Sequence, residues 1–146
     1  MNRASAFGRA AWVQGQLFYS TYSLDVHDRA PDQIDLDAML RADYTRFYPY
    51  PFVDGNRFYA GFTHLMGYTS NYYTYVLDKV IAIDFFSQFD KKDLLGGEAA
   101  MRYRKAVLEP GGSKAGTELV RGFLGRPQNL DAFKKWMDVE FSGPAK

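Results

Sequence analysis

No cysteine occurs in the 146 residues. That excludes disulfide scaffolds, thiolate zinc sites and cysteine nucleophiles, and makes a reducing, cytoplasmic setting the expectation. Long apolar runs are also missing. The run through Ile81-Ala82-Ile83 is broken at once by Asp84, far short of the roughly 18–20 residues of a membrane span. The opening MNRASAFGRAAW has no apolar signal region. Nor is there an excess of one charge: 18 basic residues face 17 acidic ones, for a net charge of +1. Without a basic field, neither nucleic acid nor an anionic membrane is an expected partner. Histidine is scarce too, with only His27 and His64.

What the chain has in quantity is aromatic rings, 17% of its residues, with 11 Tyr and 12 Phe. Eight of the tyrosines fall between Tyr44 and Tyr75. A phenol joins an apolar ring to a hydroxyl that needs a partner, so such a group suits either a core with satisfied hydroxyls or a wet binding surface. For the tyrosines as a group, a surface that binds something is the expectation.

The length suits a single domain, residues 1–146. Apolar residues recur with helical spacing over 4–28, with Phe7, Ala11, Phe18 and Tyr22 on one face and Leu17 and Leu24 beside them. Pro31 ends that helix, and His27 falls in its last turn. Asp35 is placed to cap a helix from Leu36 to about Phe47. Pro49 and Pro51 then hold the backbone extended before an Asp54-Gly55 turn. Further helices are expected over 98–109, from Lys114 or Thr117 to Gly125, and from Asn129 or Asp131 onward, where Leu130, Phe133, Trp136 and Met137 are spaced for burial. Ser142–Lys146 reads as a frayed tail. No segment alternates as a strand would. The fold class is all-α, roughly six helices around one long central helix.

That central element is Phe58–Asp90. Gly61 and Gly67 flank His64, where they would allow close approach or loop movement. Beyond them Tyr68, Tyr72, Tyr75 and Lys79 are spaced to line one helix face, while Leu77, Ile81, Phe85 and Phe89 form an apolar stripe. Asp84 falls among apolar neighbours and needs a donor. Pro110-Gly111-Gly112-Ser113-Lys114 lacks the strand and full pattern of a phosphate loop and reads as a helix–helix turn.

His64-Leu65-Met66-Gly67-Tyr68 followed by Tyr72-Tyr73-Thr74-Tyr75 resembles the His-x-x-Gly-Tyr…Tyr-Tyr-x-Tyr segment of the M3 zinc metallopeptidases, the thimet oligopeptidase and oligopeptidase A group. The likeness continues through Phe85–Asp90, Tyr103–Leu108, Pro110–Ser113 and Gly122–Pro127, in the family's own order. It implies the C-terminal part of an all-α catalytic domain lining a peptide channel. His64, Tyr68 and Tyr75 match residues that bind substrate and stabilise the oxyanion, and Tyr72 lies in the same row. In this sequence the His-to-Tyr spacing is four, whereas some members have an intervening second glycine.

Family members hold zinc with a His-Glu-x-x-His helix and a later Glu. Here neither histidine is followed by Glu, and none of the four glutamates, Glu98, Glu109, Glu118 and Glu140, is near one in sequence. Zinc is therefore implied only for the full-length family, and no cofactor is expected on this chain. Two readings follow. In one, the chain is a substrate-cleft portion that is not hydrolytic alone, with peptides as ligands and a separate chain carrying the zinc. In the other, it is an inactive peptide-binding or self-associating helical module, with a homo-oligomer as its partner.

Overall fold

A computed structural model describes residues 6–139. The fold is all-α: eight α-helices and no strand among the described residues. None of these helices is long and apolar enough to cross a membrane. The residues gather into two compact units, one ending at Leu77 and the other starting at Asp78.

In the first unit α1 spans Arg9–His27, entered through Gly8 at φ 81°. Its buried side is narrower than the spacing suggests. Phe18, Tyr22 and Ser23 are buried, while Leu17, Leu24 and, ahead of the helix, Phe7 are exposed. Residues 4 and 5 of the expected helix lie outside the described residues. His27 does occupy the last turn, with Nδ1 at 2.7 Å from the Ser23 carbonyl. After a short 3₁₀ turn at Pro31–Gln33, α2 runs from Leu36 to Phe47. Asp35 caps it, its carboxylate accepting from the N–H groups of Asp37 at 3.1 Å and Ala38 at 3.0 Å. Gly55, at φ 80°, makes the turn that leads toward α3, Phe58–Gly61.

Aromatic rings fill this unit. Phe18 is in ring contact with Tyr19, Tyr22, Tyr44, Phe47, Tyr48 and Phe58, at centroid distances of 5.3–6.5 Å. Offset and edge-on arrangements of this kind add about 0.5–1.5 kcal/mol per pair beyond area burial. Leu40, Phe62 and Tyr72 complete the buried cluster. Tyr22 donates its hydroxyl to Leu36 O at 3.2 Å, satisfying the one polar atom that its buried ring carries inward.

The expected long central helix is broken. It comprises α3, a second four-residue helix α4 over His64–Gly67, a 3₁₀ turn over Thr69–Tyr73, and only then α5, Thr74–Phe86.

In the second unit, α6 over Gly97–Tyr103 continues into a π-turn over Arg104–Leu108, where Glu109 N–H reaches Arg104 O at 2.9 Å. α7 spans Gly116–Leu124 and stops at Gly125, whose φ of 71° lets its N–H close on Arg121 O at 2.8 Å. α8 spans Asp131–Asp138 and is entered through Asn129, whose side chain accepts from Asp131 N–H at 3.0 Å. The core consists of Phe85, Val120 and Phe123, with Ile81, Phe89, Tyr103, Ala106 and Val107 against them. Phe133, Trp136 and Met137 on α8 are half-buried and Leu130 ahead of it is exposed, so the burial expected there is partial. Asp84 does find its donor. Arg126 reaches it with Nη1 at 2.8 Å and Nη2 at 2.7 Å, and Asn129 N–H adds a third hydrogen bond at 3.1 Å.

Candidate functional site

His64, Tyr68, Tyr72 and Tyr75 come together, but not as a row along one helix. Tyr68 follows α4, its N–H bonded to His64 O at 2.8 Å. Tyr72 lies in the 3₁₀ turn and Tyr75 in the first turn of α5. The break falls at Thr69, whose φ of 49° is the only positive value among the described non-glycine residues. A β-branched side chain in that region costs about 1–2 kcal/mol, so the surrounding structure must impose it. Ser23, fully buried on α1, donates its hydroxyl to the Thr69 carbonyl.

The result is a compact cluster. The His64 ring lies 5.6 Å from that of Tyr68, 5.1 Å from Tyr72 and 5.9 Å from Tyr75, measured between centroids. Tyr75 lies 4.8 Å from Tyr72 and 5.8 Å from Tyr68. The members differ in exposure. Tyr72 is 7% exposed and packs against Tyr19 and Phe62, whereas Tyr68 at 46% and Tyr75 at 37% open to solvent. Lys79, expected in the same row, belongs to the second unit, where its ammonium lies 5.4 Å from the Trp136 ring centre. Gly61 and Gly67 are not in the left-handed region, and a Cβ on either would meet open space, so neither is required for a close approach.

The hydroxyls are ordered by one another. A hydrogen bond with Tyr68, followed by partial burial and the nearby phenols, holds the Tyr75 pKa above the ordinary tyrosine value. Burial raises the Tyr72 pKa, with Tyr19 adding to it, while a hydrogen bond from the Gln16 side chain acts the other way. Tyr72 and Tyr75 therefore keep their protons at neutral pH. Gln16 and Ser23 were not legible as partners of this cluster, because both lie about fifty residues upstream of what they touch, Tyr72 and the Thr69 carbonyl respectively.

Two of the other concave places among the described residues bear on ligand binding. One cleft, about 330 Å³, places Arg41 over the Phe52 ring at 4.5 Å, with Arg41 paired to Asp54 and Arg57 paired to Asp37 at 2.8 Å. Its cations are already matched by carboxylates. The other, about 430 Å³, is an apolar groove of the second unit lined by Ile81, Phe85, Phe86, Phe89 and Tyr103, with Asp78 and Ala82.

A zinc site does not fit these residues. Among the described residues no three His, Asp or Glu side chains gather as a metal would need. His27 is turned onto a backbone carbonyl of its own helix, and His64 is packed among three phenols. No metal-assisted step is assigned to this chain's side chains.

Comparison with known proteins agrees with the motif. The sequence is 29% identical over 124 residues to human mitochondrial intermediate peptidase, covering 85% of this chain and 17% of that protein. It is 34% identical over 113 residues to the Schizosaccharomyces pombe mitochondrial intermediate peptidase, covering 77% and 14%. A 78-residue stretch is 36% identical to the Coprinopsis scobicola protein of the same name, 53% of this chain and 10% of that one. The chain thus spans less than a fifth of the length of these curated relatives. The model of peptidase family M3 matches residues 1–139, and the chain belongs to that family.

Proposed function

We propose that this chain is the C-terminal substrate-cleft portion of an M3-type oligopeptidase, binding peptide and donating hydrogen bonds to the developing oxyanion. The observation that carries this reading is the cluster of one imidazole and three phenols, two of them open to solvent, in the family's motif order. Tyr68 is the terminal donor and Tyr75 the phenol that orients it. His64 frames the ligand side, and Tyr72 anchors the group to the core. Such donors act in catalysis because their value grows as charge develops on the attacked carbonyl oxygen.

The zinc and the activated water come, in this reading, from a separate polypeptide or from a longer one of which these residues are a part. Alone, the chain binds peptides and does not hydrolyse them. The absence of cysteine suits a reducing compartment such as the cytoplasm. The test is to mix the purified chain with a polypeptide carrying a zinc-bearing M3 portion and assay cleavage of a quenched fluorescent peptide. Activity that appears only on mixing supports the reading; none at stoichiometric mixing refutes it.

A second reading rests on a different observation. Phe7, Met66 and Leu95 are almost wholly exposed, a costly use of large apolar side chains unless something covers them. A self-associating module without catalysis follows from that, and light scattering separates the two. A monomer that binds peptide removes the second reading.

A further inference from the structure

On an unbroken helix, eleven residues rise about 16 Å along the axis. His64 and Tyr75 are eleven residues apart, yet their ring centroids are 5.9 Å apart. Spacing alone would give a row with an imidazole at one end and a phenol at the other. The cluster exists because the chain reverses at Thr69, and that reversal requires a backbone conformation which threonine disfavours. What holds it comes from outside the segment. Ser23 on α1 is fully buried and donates its hydroxyl to the Thr69 carbonyl, and His27 reaches the Ser23 carbonyl one turn further along the same helix. Asn71 N–H closes on Tyr68 O at 2.8 Å and Thr74 Oγ1 on Asn71 O at 2.9 Å, so the turn that Ser23 fixes passes directly into α5.

We propose that Ser23 is the positioning residue of this cluster: through the Thr69 carbonyl it holds the reversal that brings His64 and Tyr68 onto Tyr75. The functional weight of the role rests on the peptide-facing reading above; the assembly of the cluster does not. Ser23 touches no ligand in this account. It acts on the backbone one residue beyond Tyr68, and its loss frees Thr69 to return to an ordinary conformation that straightens the segment.

Thr69 supplies the discriminating variant. Glycine tolerates φ 49° without penalty, so Thr69→Gly removes the need for a restraint while keeping the carbonyl. Isotope-labelled full chain is examined by NMR for the cross-peak between the His64 imidazole and the Tyr75 ring, with the Phe18–Tyr48 contact of the aromatic core as internal control. Expected is loss of the His64–Tyr75 cross-peak in Ser23→Ala with the Phe18–Tyr48 cross-peak retained, and its return in Ser23→Ala/Thr69→Gly. The proposal is overturned by a cross-peak that survives Ser23→Ala. Simultaneous loss of the core contact, or failure of the glycine to restore the cluster, overturns it equally. Affinity for a fluorescein-labelled short-peptide library is read on the same samples. A cluster that disassembles without any change in affinity leaves the role of Ser23 standing and removes the peptide-facing reading instead.

Discussion

Replacing Asp84 by alanine gives the sharpest quantitative test of the second unit. The carboxylate is 1% exposed and accepts three hydrogen bonds, two from Arg126 and one from Asn129 N–H. Hydrogen bonds to charged groups contribute about 1.5–3 kcal/mol in favourable cases and backbone ones about 1 kcal/mol. The guanidinium itself reaches water, which screens the pair and puts its share at the low end. Asp84→Ala is therefore expected to cost about 3 kcal/mol, a fall of about 1.5 M in urea midpoint for a slope of about 2 kcal/mol/M.

The pH dependence has a definite sign. The hydrogen bonds from Arg126 hold the Asp84 carboxyl below its ordinary range, Asn129 adds to that, and burial opposes it. A lowered acid pKa stabilises the fold above the unfolded value, about 4, and that contribution is lost as pH falls through the lower folded value. The gap between wild type and Asp84→Asn should thus be constant from pH 7 to 5 and shrink below about pH 4. Urea unfolding followed by far-UV circular dichroism across that range measures it. A midpoint shift equivalent to less than about 0.5 kcal/mol, the level of an ordinary surface change, would refute the reasoning.

Asp43 should behave in the opposite sense. Burial, then Asp25, pushes its carboxyl up to about 6, against Arg46 and Arg29, and its Oδ2 is buried with no partner among the described residues. Ionising it opposes folding, so stability falls as pH rises from about 4 to 6; Asp43→Asn should raise the urea midpoint at pH 7 and leave it nearly unchanged at pH 4. In an activity-competent assembly, Tyr68→Phe should lower kcat by about 10²–10³ with KM little changed. Tyr72→Phe should cost much less, because that residue is buried and its hydroxyl is already bonded to Gln16; steady-state kinetics on both variants checks the order. Metal analysis after dialysis against zinc should find far less than one equivalent per chain, and added zinc should not shift the unfolding midpoint.

Much of the fold could be read locally. The Asp35 cap, the Leu36–Phe47 helix, the stop at Gly125 and the need of Asp84 for a donor all depend on neighbours in sequence, and all are found. The misses have two physical sources. Periodicity says which side of a helix is apolar, not whether anything covers it, so Leu17, Leu24 and Leu130 were expected inside and are exposed. Long-range restraint is the other source. Nothing around Tyr68-Thr69-Ser70 announces a reversal, since the group that fixes it, Ser23, is 46 residues away. The motif named the four residues that cluster, but only the broken helix shows why they meet.

The π-turn over Arg104–Leu108 has a consequence for how this family can vary in length. A wide turn accommodates one residue more than an α-helix needs, with Glu109 N–H reaching back five positions and Arg104 Nε meeting Glu109 Oε1 at 3.2 Å across it. Deleting one residue there would tighten the turn into ordinary α geometry instead of tearing the helix. Tyr103 on one side and Pro110 on the other could then keep their places. Single-residue gaps between relatives should therefore collect within these five positions, where the backbone already carries the slack.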